Sequence, residues 1–183
     1  MSCIAELSRV RADNSRMCRR HTAGFALVLS LTAACQPALN WREARPAGAQ
    51  VVAMFPCKPE LEQRPGMGLA QCQAAGFGFA LSWADVSDPT QVGPALKAMP
   101  RALATKLGQP LPAAQPLQVP GMTPLPEAAE YRLAVAGSTT RVAVFAHGER
   151  VYQALMTAPT DDPPAWETFI GGLRLGAAMA PGR

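Results

Sequence analysis

The chain has 183 residues, of which 49% are hydrophobic and 16% charged; this balance fits one folded domain plus extra sequence and excludes a disordered chain. Eighteen prolines argue against a helical bundle, because an interior proline removes a hydrogen bond and clashes with the preceding turn. The net charge is +4, but residues 1–34 hold five Arg (9, 11, 16, 19 and 20) against Glu6 and Asp13, so residues 35–183 keep only +1. Without that segment no basic stripe with interleaved aromatics remains, and nucleic acid is not an expected partner.

Residues 1–16, "MSCIAELSRVRADNSR", are polar, mixed in charge and weakly periodic. They read as sequence ahead of a true start at Met17, or as a short disordered extension. From Met17 the pattern changes. Arg19, Arg20 and His21 precede an apolar run from Ala23 to Ala34, about a dozen residues long. That is too short for the roughly 18–20 residues of a membrane span and fits the short apolar core of a secretory signal. Leu31, Thr32, Ala33 and Ala34, followed by Cys35, resemble a bacterial lipobox, with Thr32 where Leu is more usual. The resemblance implies cleavage before Cys35 and diacylation of that cysteine. Gln36 in place of Asp implies, by likeness to lipoprotein sorting signals, the outer membrane's periplasmic face. The competing reading makes Cys35 a buried residue of a core helix.

Export changes the cysteine arithmetic. Of five cysteines, Cys3 and Cys18 fall in the removed part and Cys35 carries lipid. Cys57 and Cys72 are left as an even pair in an oxidising compartment, where disulfides persist. The alternative is an envelope enzyme or a metal or redox site built on Cys57, Cys72 and His147. It lacks a C-x-x-C and a fourth ligand. No cofactor or metal is expected, and no catalytic residue is assigned.

Residues 35–38 read as a lipid-anchored tether, 39–176 as a single domain and 177–183 as a flexible tail. "LNWRE" suits a short strand or a packed Trp41, and "QVVAMF" is strand-prone. "CKPELEQRPGMG" reads as a loop. In "LAQCQAAGFGFALSWADV", Phe77, Phe79 and Leu81 alternate with small residues as in a half-buried strand; Gly78 marks close packing more readily than a nucleotide loop. Asp88 can cap a helix beginning at Pro89, with Gln91 completing a capping box and Leu96, Met99, Leu103 and Leu107 on one face. Pro94 and Pro100 demand a kink or two short helices.

Residues 109–126 contain Pro110, Pro112, Pro116, Pro120, Pro124 and Pro126 and read as an extended surface connector. "AEYRLAVAG", "TTRVAVFAHG" and "RVYQALMTA" are three strand-like runs with hairpin-length breaks, a meander in which Tyr131, Leu133 and Val135 share a face. Asp161 and Asp162 read as caps of a final helix whose stripe is Trp166, Phe169, Ile170 and Leu173, weakened or ended by Gly171 and Gly172. The expected class is α+β: an antiparallel sheet of about five to six strands with a C-terminal meander, covered by a middle helix and a C-terminal helix.

"LNWRE" (Leu39–Glu43), "FPCKP" (Phe55–Pro59), Cys72 and the ending "VYQALM…AWETFIGGLRL" resemble a group of uncharacterised proteobacterial lipoproteins. More loosely, the order of elements is similar to the PsbP-like α/β/α sandwich. The first resemblance implies no activity. The second implies binding or assembly roles. The sequence therefore points to a non-catalytic, periplasm-facing lipoprotein domain, with the membrane as one partner through its anchor and an envelope protein as another.

Overall fold

The computed structural model describes residues 39–135 and 137–176. The segment 1–34, the whole tether 35–38 with Cys35, and the tail 177–183 lie outside the described residues.

The chain folds as α+β. A three-stranded antiparallel sheet combines β1 (Arg42–Ala44), β2 (Val51–Phe55) and β10 (Arg174–Leu175), with β2 in the middle. A seven-stranded antiparallel sheet contains β3 (Glu60–Arg64), β4 (Met67–Ala74), β5 (Phe77–Asp85), β6 (Gln115–Pro116), β7 (Ala129–Val135), β8 (Ser138–His147) and β9 (Arg150–Ala158) in the order β3-β4-β5-β9-β8-β7-β6. The meander forms as its alternating apolar residues and short breaks dictate. Its register sets Tyr131 opposite Val142 and Val142 opposite Leu155.

Both faces of the large sheet are packed. Helix α1 (Val92–Lys106) lies on β8 and β9, where Val92, Leu96 and Ala104 meet Leu133, Val142, Val144 and Val151. Helix α2 (Pro163–Gly171) and the small sheet cover the other face. There Phe55, Phe79, Leu81, Tyr152, Met156 and Phe169 are all fully buried. Asp162 caps α2 by accepting from the Ala165 amide at 2.9 Å. The whole predicted stripe of Trp166, Phe169, Ile170 and Leu173 is buried.

Several local expectations are corrected. "CKPELEQRPGMG" holds the edge strand β3 and a turn at Pro65–Gly66, not a loop. All five β3 residues are exposed, so no buried face leaves an apolar alternation to read. "LAQCQAAGFGFALSWADV" is a hairpin of two strands. Its two-residue turn, Ala75–Gly76, has positive φ at both positions (52° and 82°), the geometry of a type I′ turn, in which alanine is unusual. Helix α1 is continuous and starts at Val92. Pro94 thus falls in the first turn, whose N–H groups have no intrahelical partner; only Pro100 is interior. Asp88 caps a short 3-10 turn by accepting from the Thr90 amide, and Gln91 makes no side-chain cap. Leu117 and Val119 of the proline-rich connector are buried in the core, and Gln115–Pro116 pairs with β7 as β6.

Candidate binding surface

The cysteines form the predicted disulfide. Cys57 and Cys72 are joined, with Cα atoms 6.0 Å apart and 15 residues between them in sequence. Cys57 leads into β3 and Cys72 lies within β4, so the bond staples the outermost hairpin of the sheet. His147 is elsewhere. It closes the β8–β9 hairpin opposite Arg150, and its Nδ1–H donates to the Gly121 carbonyl at 2.7 Å. Cys72 is in register with Phe79 and, through it, with Met156. Arg150 and Met156 are six residues apart on β9, roughly 20 Å at the rise of a strand. The structure does not bring His147 to the cysteine pair, and among the described residues no three His, Cys, Asp or Glu side chains could share a metal.

Most charged side chains near the sheet are engaged in holding the fold. Arg141 grips Asp161 with two bonds, at 2.7 and 2.9 Å, and Arg132 adds a third at 3.3 Å. Asp161 is therefore a clamp between the meander and the start of α2, not a cap. The bond from Arg141 holds its carboxyl below the usual range. On the same face the Trp166 indole N–H donates to Glu130 at 2.8 Å. Arg150 binds Asp85 and the Gly48 carbonyl, both at 2.5 Å, while the Tyr152 hydroxyl donates to the Ala49 carbonyl at 2.8 Å. Sequence reading misses these clamps, because each joins residues 20 or more positions apart with no local signature.

Tyr152 is fully buried beneath this loop and stacked on Phe145, with ring centroids 5.3 Å apart. Burial pushes its hydroxyl up to about 12. The folded state thus prefers the neutral phenol. Its contribution to stability is complete below the ordinary value near 10 and is lost as pH rises from there through about 12. Ultraviolet titration of the Tyr131→Phe variant, in which Tyr152 is the sole tyrosine, is expected to show a midpoint about two units higher in buffer than in denaturant.

The part of the large sheet that α1 leaves open is the remaining surface feature. On the helix-bearing face, β3, β4 and β5 present Glu60, Glu62, Gln71, Gln73 and the short side chains of Gly78, Ala80 and Ser82. A depression of about 550 Å³ is lined by Cys57, Lys58, Glu60, Gln71, Ala80 and Thr157 among others. A second, of about 320 Å³, runs from Glu62 and Arg64 past Met67 and Leu69 to Met99 of α1. Gly78 has a packing reason. A Cβ there would lie 2.6 Å from the Thr157 hydroxyl across the β5–β9 pair, which is the close approach expected of a strand glycine. This surface offers amides, a hydroxyl and two uncompensated carboxylates: it can hydrogen-bond and pair with cations.

No family model matches the chain, and no curated protein matches it. Among solved structures, the crystal structure of a protein from Bacteroides thetaiotaomicron is similar, with a TM-score of 0.44 and 14% identity, over 72% of this chain and 46% of that one. The chain thus spans less than half the length of that protein.

Proposed function

We propose that this chain is a lipid-anchored protein of the bacterial cell envelope whose α+β domain faces the periplasm and works by binding a partner, without catalysis. The observation that carries the reading is the Cys57–Cys72 disulfide. Such bonds persist in oxidising compartments and are rare in the cytosol. It stands downstream of a charged, apolar and small-residue sequence ending at Cys35, the order of features that an export signal requires. The open half of the sheet supports the binding part. It is a shallow surface of amides, carboxylates and short side chains at the end of the molecule that the disulfide stiffens. Outer-membrane residence rests on Gln36 after the anchored cysteine and belongs to the same proposal.

Fractionation of bacteria fed labelled palmitate tests the anchor. The natural chain is expected in the membrane fraction carrying label. Cys35→Ala is expected to lose the label and the membrane association together. Label and membrane association that persist in the variant overturn the anchoring reading.

A further inference from the structure

Strand β3 is the outer edge of the seven-stranded sheet. It pairs with β4 from Glu60–Gln71 to Arg64–Met67. Among the described residues it makes no other backbone hydrogen bond, and all five of its residues are exposed. Its outward N–H and C=O groups therefore form a template for another strand. Natural edges are usually short, broken by proline or covered, as the two-residue β6 at the opposite edge is. By contrast, β3 is five residues long and is fixed at its start by the Cys57–Cys72 bond. An edge held rigid before a partner arrives binds at lower ordering cost.

The side chains state what would fit. Glu60 and Glu62 lie two positions apart on one face, and neither has an ion pair among the described residues. Leu61, between them, is 43% exposed on the other face. We propose that the outer edge of β3 is the docking site for an extended segment of a partner protein, which adds as an eighth antiparallel strand and carries Lys or Arg opposite Glu60 and Glu62. The alternation of a strand puts those two cations on one face and the residue between them on the other, beside Leu61, where an apolar side chain fits. Arg64 shares the face of the two glutamates and calls for an acidic residue. The segment thus reads anion–any–cation–apolar–cation. Lys58 also lines the depression beside Glu60, so the cation facing Glu62 contributes more than the one facing Glu60. A second copy of this chain meets less of the pattern. Antiparallel self-pairing over the full strand sets Glu60 against Arg64 at both ends. It also sets Glu62 against Glu62, where like charges directly opposite are destabilising, and Leu61 against Gln63, where the partner segment offers an apolar side chain. The inference rests on the binding reading of the domain and gives its partner's chemistry. The lipid anchor takes no part in it.

The purified full-length chain, titrated with a fluorescent peptide whose core is Glu-Thr-Lys-Val-Lys, tests it by anisotropy. Binding is expected, with new hydrogen-exchange protection at those amides of Glu60–Arg64 that point away from β4. The same peptide N-methylated at alternate backbone amides is expected not to bind. A peptide with both lysines replaced by glutamate is expected to bind only the Glu60→Lys/Glu62→Lys variant, which loses roughly tenfold in affinity for the lysine peptide, as two cross-strand charge pairs imply. No binding of the lysine peptide, or equal binding of its N-methylated form, overturns the proposal. So does protection, before peptide is added, of those amides of Glu60–Arg64 that point away from β4, which makes a segment of this chain the occupant. A dimer abolished by Glu60→Lys/Glu62→Lys likewise makes a second copy the occupant. The palmitate experiment on Cys35→Ala reads the anchor separately, so failure of one proposal leaves the other's result standing.

Discussion

Replacing both Cys57 and Cys72 with alanine is expected to lower the stability of the folded domain by about 3 kcal/mol. The disulfide closes a loop of 15 residues, and in the chain-entropy account its removal acts by releasing the unfolded chain to explore more conformations. The folded state keeps the β3–β4 ladder and its turn, so far-ultraviolet circular dichroism of the variant should match that of the natural chain. For a domain of this size the loss corresponds to a fall of roughly 10 °C in Tm. Hydrogen exchange should change most at β3. That strand has no buried side chain and is held by its ladder to β4, the covalent staple and the Gln63 side chain lying against Gly48. Reduction of the natural protein should reproduce the shift, because both treatments remove the same constraint. A change below about 1 kcal/mol in both cases would show that the denatured chain is already compact around this hairpin.

That hairpin also shows where sequence reading succeeds and where it stops. The meander from Ala129 to Ala158 was legible because each strand alternates apolar and polar residues between short breaks. Helix α2 was legible because an Asp–Pro start, a four-residue apolar stripe and a glycine stop agree with one another. The cysteine pairing followed from counting. Strand β3 was not legible because periodicity reports burial, and an edge strand exposed on both faces buries nothing. The Ala75–Gly76 turn was hidden by an alanine at φ 52°, held there by the strands it joins. Strand β10 is two residues long and exists because β2 supplies its partner. Pro94 and Pro100 predict a kinked helix or two short ones from a start at Pro89; a start at Val92 makes Pro94 harmless and leaves Pro100 as the one interior proline of a continuous α1. The open surface was beyond reach for a similar reason. It is defined by where α1 stops covering the sheet, and no residue on β3, β4 or β5 carries that information.

Phe169→Ala is expected to be the most costly single truncation in the domain, at about 3–5 kcal/mol. Phe169 is fully buried and is the side chain through which three elements meet. Its ring lies 5.4 Å from that of Phe55 on β2, 5.2 Å from that of Phe79 on β5 and 6.3 Å from that of Trp166 on α2. The first two contacts are edge-on, an arrangement that adds to simple burial. Truncation leaves a cavity bounded by both sheets and the helix, and two sheets and a helix cannot all relax into it together. The readout is the denaturant midpoint, with an unchanged slope marking a stability effect. Location can be tested as well as size. Leu96 belongs to the separate cluster beneath α1, on the opposite face of the large sheet. Leu96→Ala, expected to cost about 2–5 kcal/mol, should therefore add to the milder Phe169→Leu within roughly 0.5 kcal/mol. Phe79 touches Phe169 directly, so Phe79→Leu combined with Phe169→Leu should depart from additivity by more than that. If instead the Leu96 and Phe169 substitutions couple and the Phe79 and Phe169 pair add, the sheet is not acting as the partition between two cores that its alternation of side chains requires.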